Sequence, residues 1–225
     1  MTLSPVVRGI RYVIQLSLLG VRTDSAYQTN IPPSATDKRC RDTDQLRLTR
    51  VGTQAVSRGS RTSLWTRIRA HRGSLNGTYE GGGNHRGSVF RERVGEAMIE
   101  RHDLDDEYPE WGDGSGAGRD LRLEELEMEC WVSDYLRQLP FLWVDVPDEP
   151  APESDRAYLE RNAIALLSNY RKAPIDPWPN EWLGNDSPSQ KIRESGLWNV
   201  NHVDESYDPA FLDQLAGAIE ETEPL

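Results

Sequence analysis

The sequence predicts an α+β fold in which three short strand-like runs are set among helical segments, joined by long polar loops and closed by a C-terminal helix. Residues 9–21 (GIRYVIQLSLLGV), 46–51 (LRLTRV) and 141–146 (FLWVDV) either concentrate β-branched and aromatic residues or alternate in polarity, as strands do. Between and after them apolar residues recur at helical spacing behind Ser or Thr cap positions. The chain has 225 residues, 36% of them hydrophobic, with 18 Gly and 14 Pro. That is enough for one core and many connections.

Residues 1–45 read as a divergent or poorly ordered N-terminal segment. Its strand-like run is followed by the polar stretch 25–45 with a Pro-Pro pair, a loop by composition. Residues 46–170 form the expected core. The strand 46–51 turns at Gly52 and leads to a helix capped by Thr62 or Ser63, anchored by Leu64 and Ile68. Arg67 and His71 lie four apart on it, so both are expected on one outward face. Residues 71–88 are dense in glycine. Such a turn before a helix N-terminus can hold phosphate through backbone N–H groups, although three consecutive glycines more often mark a mobile loop.

Ser88 is placed to cap a helix over 89–101, and an acidic connector spans 103–120. A packing helix over 121–139 carries Leu123, Leu126, Cys130 and Ser133 at helical spacing and stops at Pro140. In the strand 141–146, Leu142, Val144 and Val146 are expected toward the core. Glu160 opens the next helix after Pro152 and the cap Ser154, with Ile164 and Leu167 beneath it. Residues 171–225 are a Trp- and Pro-rich loop followed by an amphipathic helix over 208–221, with Phe211, Leu212, Leu215 and Ile219 packed on the core. His85 and His202 read as loop surface residues, and the tryptophans mostly as packing aromatics.

The formal charge is -11, but it is unevenly spread. Residues 1–95 hold 16 Lys and Arg against 6 Asp and Glu, and residues 96–225 hold 10 against 31. The basic half, which contains Arg67 and His71, can engage phosphates while the acidic remainder limits non-specific adhesion. Cys40 and Cys130 have no metal-ligand spacing and make no disulfide framework, which fits a reducing cytoplasm. The apolar run 6–21 is interrupted by Arg8, Arg11 and Gln15, so no membrane span is expected. No HExxH motif or paired-Cys spacing supports a zinc hydrolase.

Arg67, His71 and Glu160 are the types that phosphodiester cleavage needs: a cation for the developing phosphorane charge, a polar group for the nucleophile and an oxygen ligand for a divalent metal.

The blocks LWTRIRAHRG, GGGNHRGSVFR, VSDYLRQLPFLWV, PESDRAYLERN and SGLWNVNHVDE resemble the GIY-YIG nuclease domain family, and more narrowly a bacterial group of GIY-YIG-type proteins. The resemblance implies a small three-stranded antiparallel sheet flanked by helices, and DNA cleavage with Mg²⁺ or Mn²⁺. It further implies that Arg67 stabilises phosphate charge, that His71 assists one turn on, and that Glu160 binds the metal. Gly9-Ile10-Arg11-Tyr12 has the Gly, Ile and Tyr of the first signature tripeptide with an extra Arg, which makes Tyr12 the candidate to activate water. Arg50-Val51-Gly52 stands where the second tripeptide belongs, with Arg for its Tyr. No position aligns with the family's late asparagine, and Asn169, Asn185 and Asn199 all stay open for it. Two functions follow: a metal-dependent endonuclease acting on DNA through the basic half, or an inactive scaffold of that fold that binds nucleic acid or a protein.

Overall fold

The computed structural model describes residues 13–20, 46–54, 57–60, 62–73, 82–114 and 116–223, with backbone alone for residues 13–20 and Leu46. Tyr12 and Cys40 lie outside the described residues. Among these, β1 (Val13–Gly20), β2 (Leu46–Thr53) and β3 (Phe141–Asp145) form one antiparallel sheet in the order β2-β1-β3. Leu16 pairs with Val51 on one side and Leu142 on the other, and a register shift falls between Ser17 and Leu18.

Helices cover both faces. The first, α1 (Leu64–Arg72), is capped by Ser63, whose Oγ accepts from Thr66 N at 3.2 Å. Its Leu64 and Ile68 pack on Phe141 and Trp143 of β3. On the opposite face Val51, Val144 and Val146 meet Leu159 and Ile164 of α5 (Asp155–Leu167) and Phe211 of α7 (Phe211–Glu221). A second cluster joins α2 (Val89–His102) to α4 (Leu126–Gln138) through Val94, Met98, Met128, Val132 and Leu136. Ile192 of α6 (Gln190–Ser195), Trp182 and Trp198 complete it. Among the described residues no helix is long and apolar enough to cross a membrane.

Several expectations are corrected here. The helix expected over 121–139 is two, α3 (Arg119–Glu124) and α4, because Glu125 turns inward at the junction and its carboxylate takes the Arg86 guanidinium. The buried stripe is therefore Met128, Val132 and Leu136, whereas Leu123 is 46% exposed. Leu142 is 52% exposed and lies outside the cluster that takes Val144 and Val146. Helix α5 starts at Asp155, so Glu160 is mid-helix. In α7, Phe211 is buried while Leu212 and Ile219 are exposed.

His85 is not a surface residue. It is fully buried and stacks 3.9 Å from the Trp111 ring. Its Nδ1 meets Glu129 Oε1 at 3.0 Å and its Nε2 accepts from Gly112 N. Glu129 also takes the Arg91 guanidinium, which donates to the His71 carbonyl at 2.9 Å. Gly83 serves this network: a Cβ there would lie on the Arg91 guanidinium. Gly83, at the end of the glycine-rich turn, thus makes room for a buried arginine.

Candidate functional site

The site forms where the C-terminal end of β2 meets α1 and α5. On β2, Val51 is buried toward α5, so by strand alternation Arg50 lies on the opposite face, where its guanidinium sits over the Phe90 ring of α2. Helix α5 is tied to the strand end twice. Arg156 Nη1 donates to the Gln54 carbonyl at 2.9 Å, and one turn on, Thr53 N donates to Glu160 Oε1 at 3.2 Å. No described residue donates to the other Glu160 oxygen.

The strand itself is held by the C-terminal segment. Trp198 N donates to the Thr49 carbonyl at 2.8 Å. Asn199 then continues this pairing with its side chain, since Oδ1 accepts from Val51 N at 3.0 Å and Nδ2 donates to Val51 O at 2.8 Å. Of the three candidate asparagines, Asn199 borders the site. Asn169 bonds Ile175 N and the Asp176 carbonyl, and Asn185 bonds Trp178.

Arg67 and His71 do not share one outward face. Arg67 is exposed, but His71 is only 3% exposed and continues the buried stripe of Leu64 and Ile68. Its ring meets Phe90 edge to face at 5.5 Å, and Nδ1 pairs with Ser88 Oγ at 2.7 Å. The cap of α2 therefore holds the imidazole. Nε2 is buried without a partner among the described residues. The spacing Leu64, Ile68, His71 was the signal for this burial, because i, i+4 and i+7 lie on one helical face.

Electrostatics link the groups. Burial, then the charges of Arg50, Arg67 and Arg91, drives the His71 pKa down to about 2. Burial and Arg67 lower that of Arg50 to about 10, with Glu160 opposing. Burial raises the Glu160 carboxyl above its ordinary range, against the pull of Arg50, the Thr53 N–H, His202 and Arg67. His202 is a residue that sequence reasoning set aside. It sits at φ 63 with Nδ1 at 2.8 Å from Glu205 Oε1, close enough to act on Glu160.

Among the described residues no three His, Cys, Asp or Glu side chains cluster as a metal cage. One carboxylate with a free oxygen still fits a magnesium-type ion, which keeps most of its waters and takes further ligands from substrate phosphate.

These features define a class: a mixed α+β domain whose polar site joins one half-buried carboxylate to two guanidiniums and a neutral imidazole. The chain belongs to the GIY-YIG nuclease domain family, since a family model described as GIY-YIG domain matches residues 34–225. No curated protein and no solved structure matches it.

Proposed function

We propose that this protein is a metal-dependent DNA endonuclease of the GIY-YIG type, hydrolysing phosphodiester bonds at the site between β2, α1 and α5. The observation that carries this reading is the half-buried carboxylate of Glu160, anchored by Thr53 N–H through one oxygen and set among the charges of Arg50 and Arg67. Glu160 is the residue that would hold Mg²⁺ or Mn²⁺, and such an ion, when bound, neutralises charge on the phosphate and the leaving oxygen.

The exposed Arg67 guanidinium reaches solvent and can steady the phosphorane. His71 orients rather than deprotonates, because an imidazole with a pKa about 2 is too weak a base at neutral pH. Its free Nε2 can hold the attacking water in line. Proton transfer then falls to Tyr12, the phenol that the family resemblance assigns to the water. DNA would approach over the exposed side of α1, where Trp65, Arg67 and Arg69 are open to solvent. Trp65 offers a stacking face there.

The test is cleavage of supercoiled plasmid with Mg²⁺ or Mn²⁺, beside EDTA, Arg67→Ala, Glu160→Gln and Tyr12→Phe. Metal-dependent nicking is expected, lost by about 10²-fold or more in the first two variants. The second reading, an inactive scaffold that binds nucleic acid or a protein, is favoured by Arg50 in place of the second signature tyrosine. Salt-sensitive DNA binding without cleavage on any substrate would select it.

A further inference from the structure

Arg50 is the cation on which the site converges. Its guanidinium lies 4.7 Å from the centroid of the Phe90 ring. It also folds back over Gly52 so closely that a Cβ there would stand 2.6 Å from Nη1. Arg50 is the largest charge acting on both His71 and Glu160. Yet among the described residues its guanidinium has no hydrogen-bond or ion-pair partner. The other inward-facing arginines each have an acceptor: Arg47 Nη1 donates to the Gly196 carbonyl, although its Nη2 is buried without one among the described residues, Arg91 donates to Glu129 and Arg156 to Asp148.

A half-buried cation without an acceptor is costly, and the neighbouring His71 Nε2 is unpartnered as well. With Arg50 and Arg67 positive, His71 neutral and Glu160 negative, the cluster has an excess of one positive charge. The missing component is an anion with several acceptor oxygens.

We propose that Arg50 is a second phosphate-binding cation, which holds a non-bridging oxygen of the scissile phosphate together with Arg67. The Phe90 face fixes the plane of the guanidinium, and the absent side chain at Gly52 gives it room to reach the site. A guanidinium neither takes nor gives a proton in this range, so its contribution is charge and geometry. Where a phenol at this position would offer one hydrogen bond, the arginine offers a fork that matches phosphate. The identity of that phosphate as DNA rests on the nuclease reading.

The experiment uses the whole chain and a fluorescently labelled DNA duplex. Affinity is measured in EDTA across a salt series, and cleavage with Mg²⁺, for the wild type, Arg50→Lys, Arg50→Gln and Arg50→Ala. Each neutral variant is expected to lower the slope of log affinity against log salt by about 0.9, the value for one lost phosphate contact. It is also expected to cut kcat by about 10²-fold to 10³-fold with a smaller change in KM. Arg50→Lys should retain the slope and lose rate, and added guanidinium ion should restore part of the Arg50→Ala rate. If the folded neutral variants match the wild type in slope and kcat, Arg50 is structural and the nuclease reading stands alone. A wild type that cleaves nothing, with the slope still reduced in the variants, removes the nuclease reading and keeps the phosphate contact. A wild type that fails to bind the duplex in EDTA overturns the proposal.

Discussion

His71 shows how far surroundings can move a single residue. A free imidazole titrates near pH 6.5, but burial and three arginines hold this one neutral down to about 2. Its folded pKa is depressed, so its contribution to stability is present above the unfolded value and is lost as pH falls below it. Between about pH 6 and pH 4 the unfolding free energy should lose up to about 1.4 kcal/mol per pH unit from this residue alone. Urea titrations at several pH values should show a shallower slope in His71→Asn, which keeps a polar partner for Ser88; an unchanged slope would mean that the imidazole is solvated. Glu160 behaves in the opposite sense. Its raised pKa places the loss of the ionised form at a higher pH than for an exposed glutamate. The cleavage rate should therefore have an acid limb above the usual carboxylate range and no limb near about 6.5 from His71. A pH–rate profile that follows a free imidazole would refute this assignment.

At the level of elements, β2 is the part that everything else positions. Its Val51 has both backbone groups taken by Asn199, and its end is gripped by Arg156 and Glu160 from α5. Asn199→Ala would leave an N–H and a carbonyl without partners at the strand that carries Arg50. The expected cost is about 1–3 kcal/mol of stability, read from denaturant midpoints, with cleavage lowered beyond what stability explains. Gly52→Ala tests the same strand differently. The new Cβ meets the far end of a flexible side chain, so stability should change little while the Arg50 head is displaced. Weakened DNA binding with an unchanged melting temperature is the expected result, and a large drop in stability would mean that the backbone cannot yield.

On the scale of the molecule, the part around α2 and α4 is held by buried charge as well as by apolar packing. Arg91 and His85 both converge on Glu129, and Arg86 pairs with Glu125 where α3 meets α4. Removing the shared carboxylate leaves one buried guanidinium uncompensated. Glu129→Ala should destabilise the fold by about 3–5 kcal/mol, measured by thermal or denaturant unfolding. Since Arg91 also donates to the His71 carbonyl, the same change should loosen the end of α1 and lower activity. An effect within about 0.5 kcal/mol would show that the network is solvated and not structural.

Most of the elements, and the family, were legible in the order of the residues alone. Local rules sufficed for Ser63, Ser88 and Ser154, each of which caps the helix that follows it. They also sufficed for strand 141–145, bounded by prolines, and for placing Arg67 and His71 on one helix and Glu160 on another. Tertiary structure decided what these residues experience. Periodicity places His71 on a helix but does not say that α2 will cover it, and composition cannot show that Glu125 bends inward to meet Arg86. The coupling of Arg50 to residues 17, 21 and 110 positions later likewise depends on chain segments far apart in sequence. The physical reason is common to all of these. Caps and hydrophobic periods act within a turn or two, whereas desolvation and charge act through space between segments that only folding brings together.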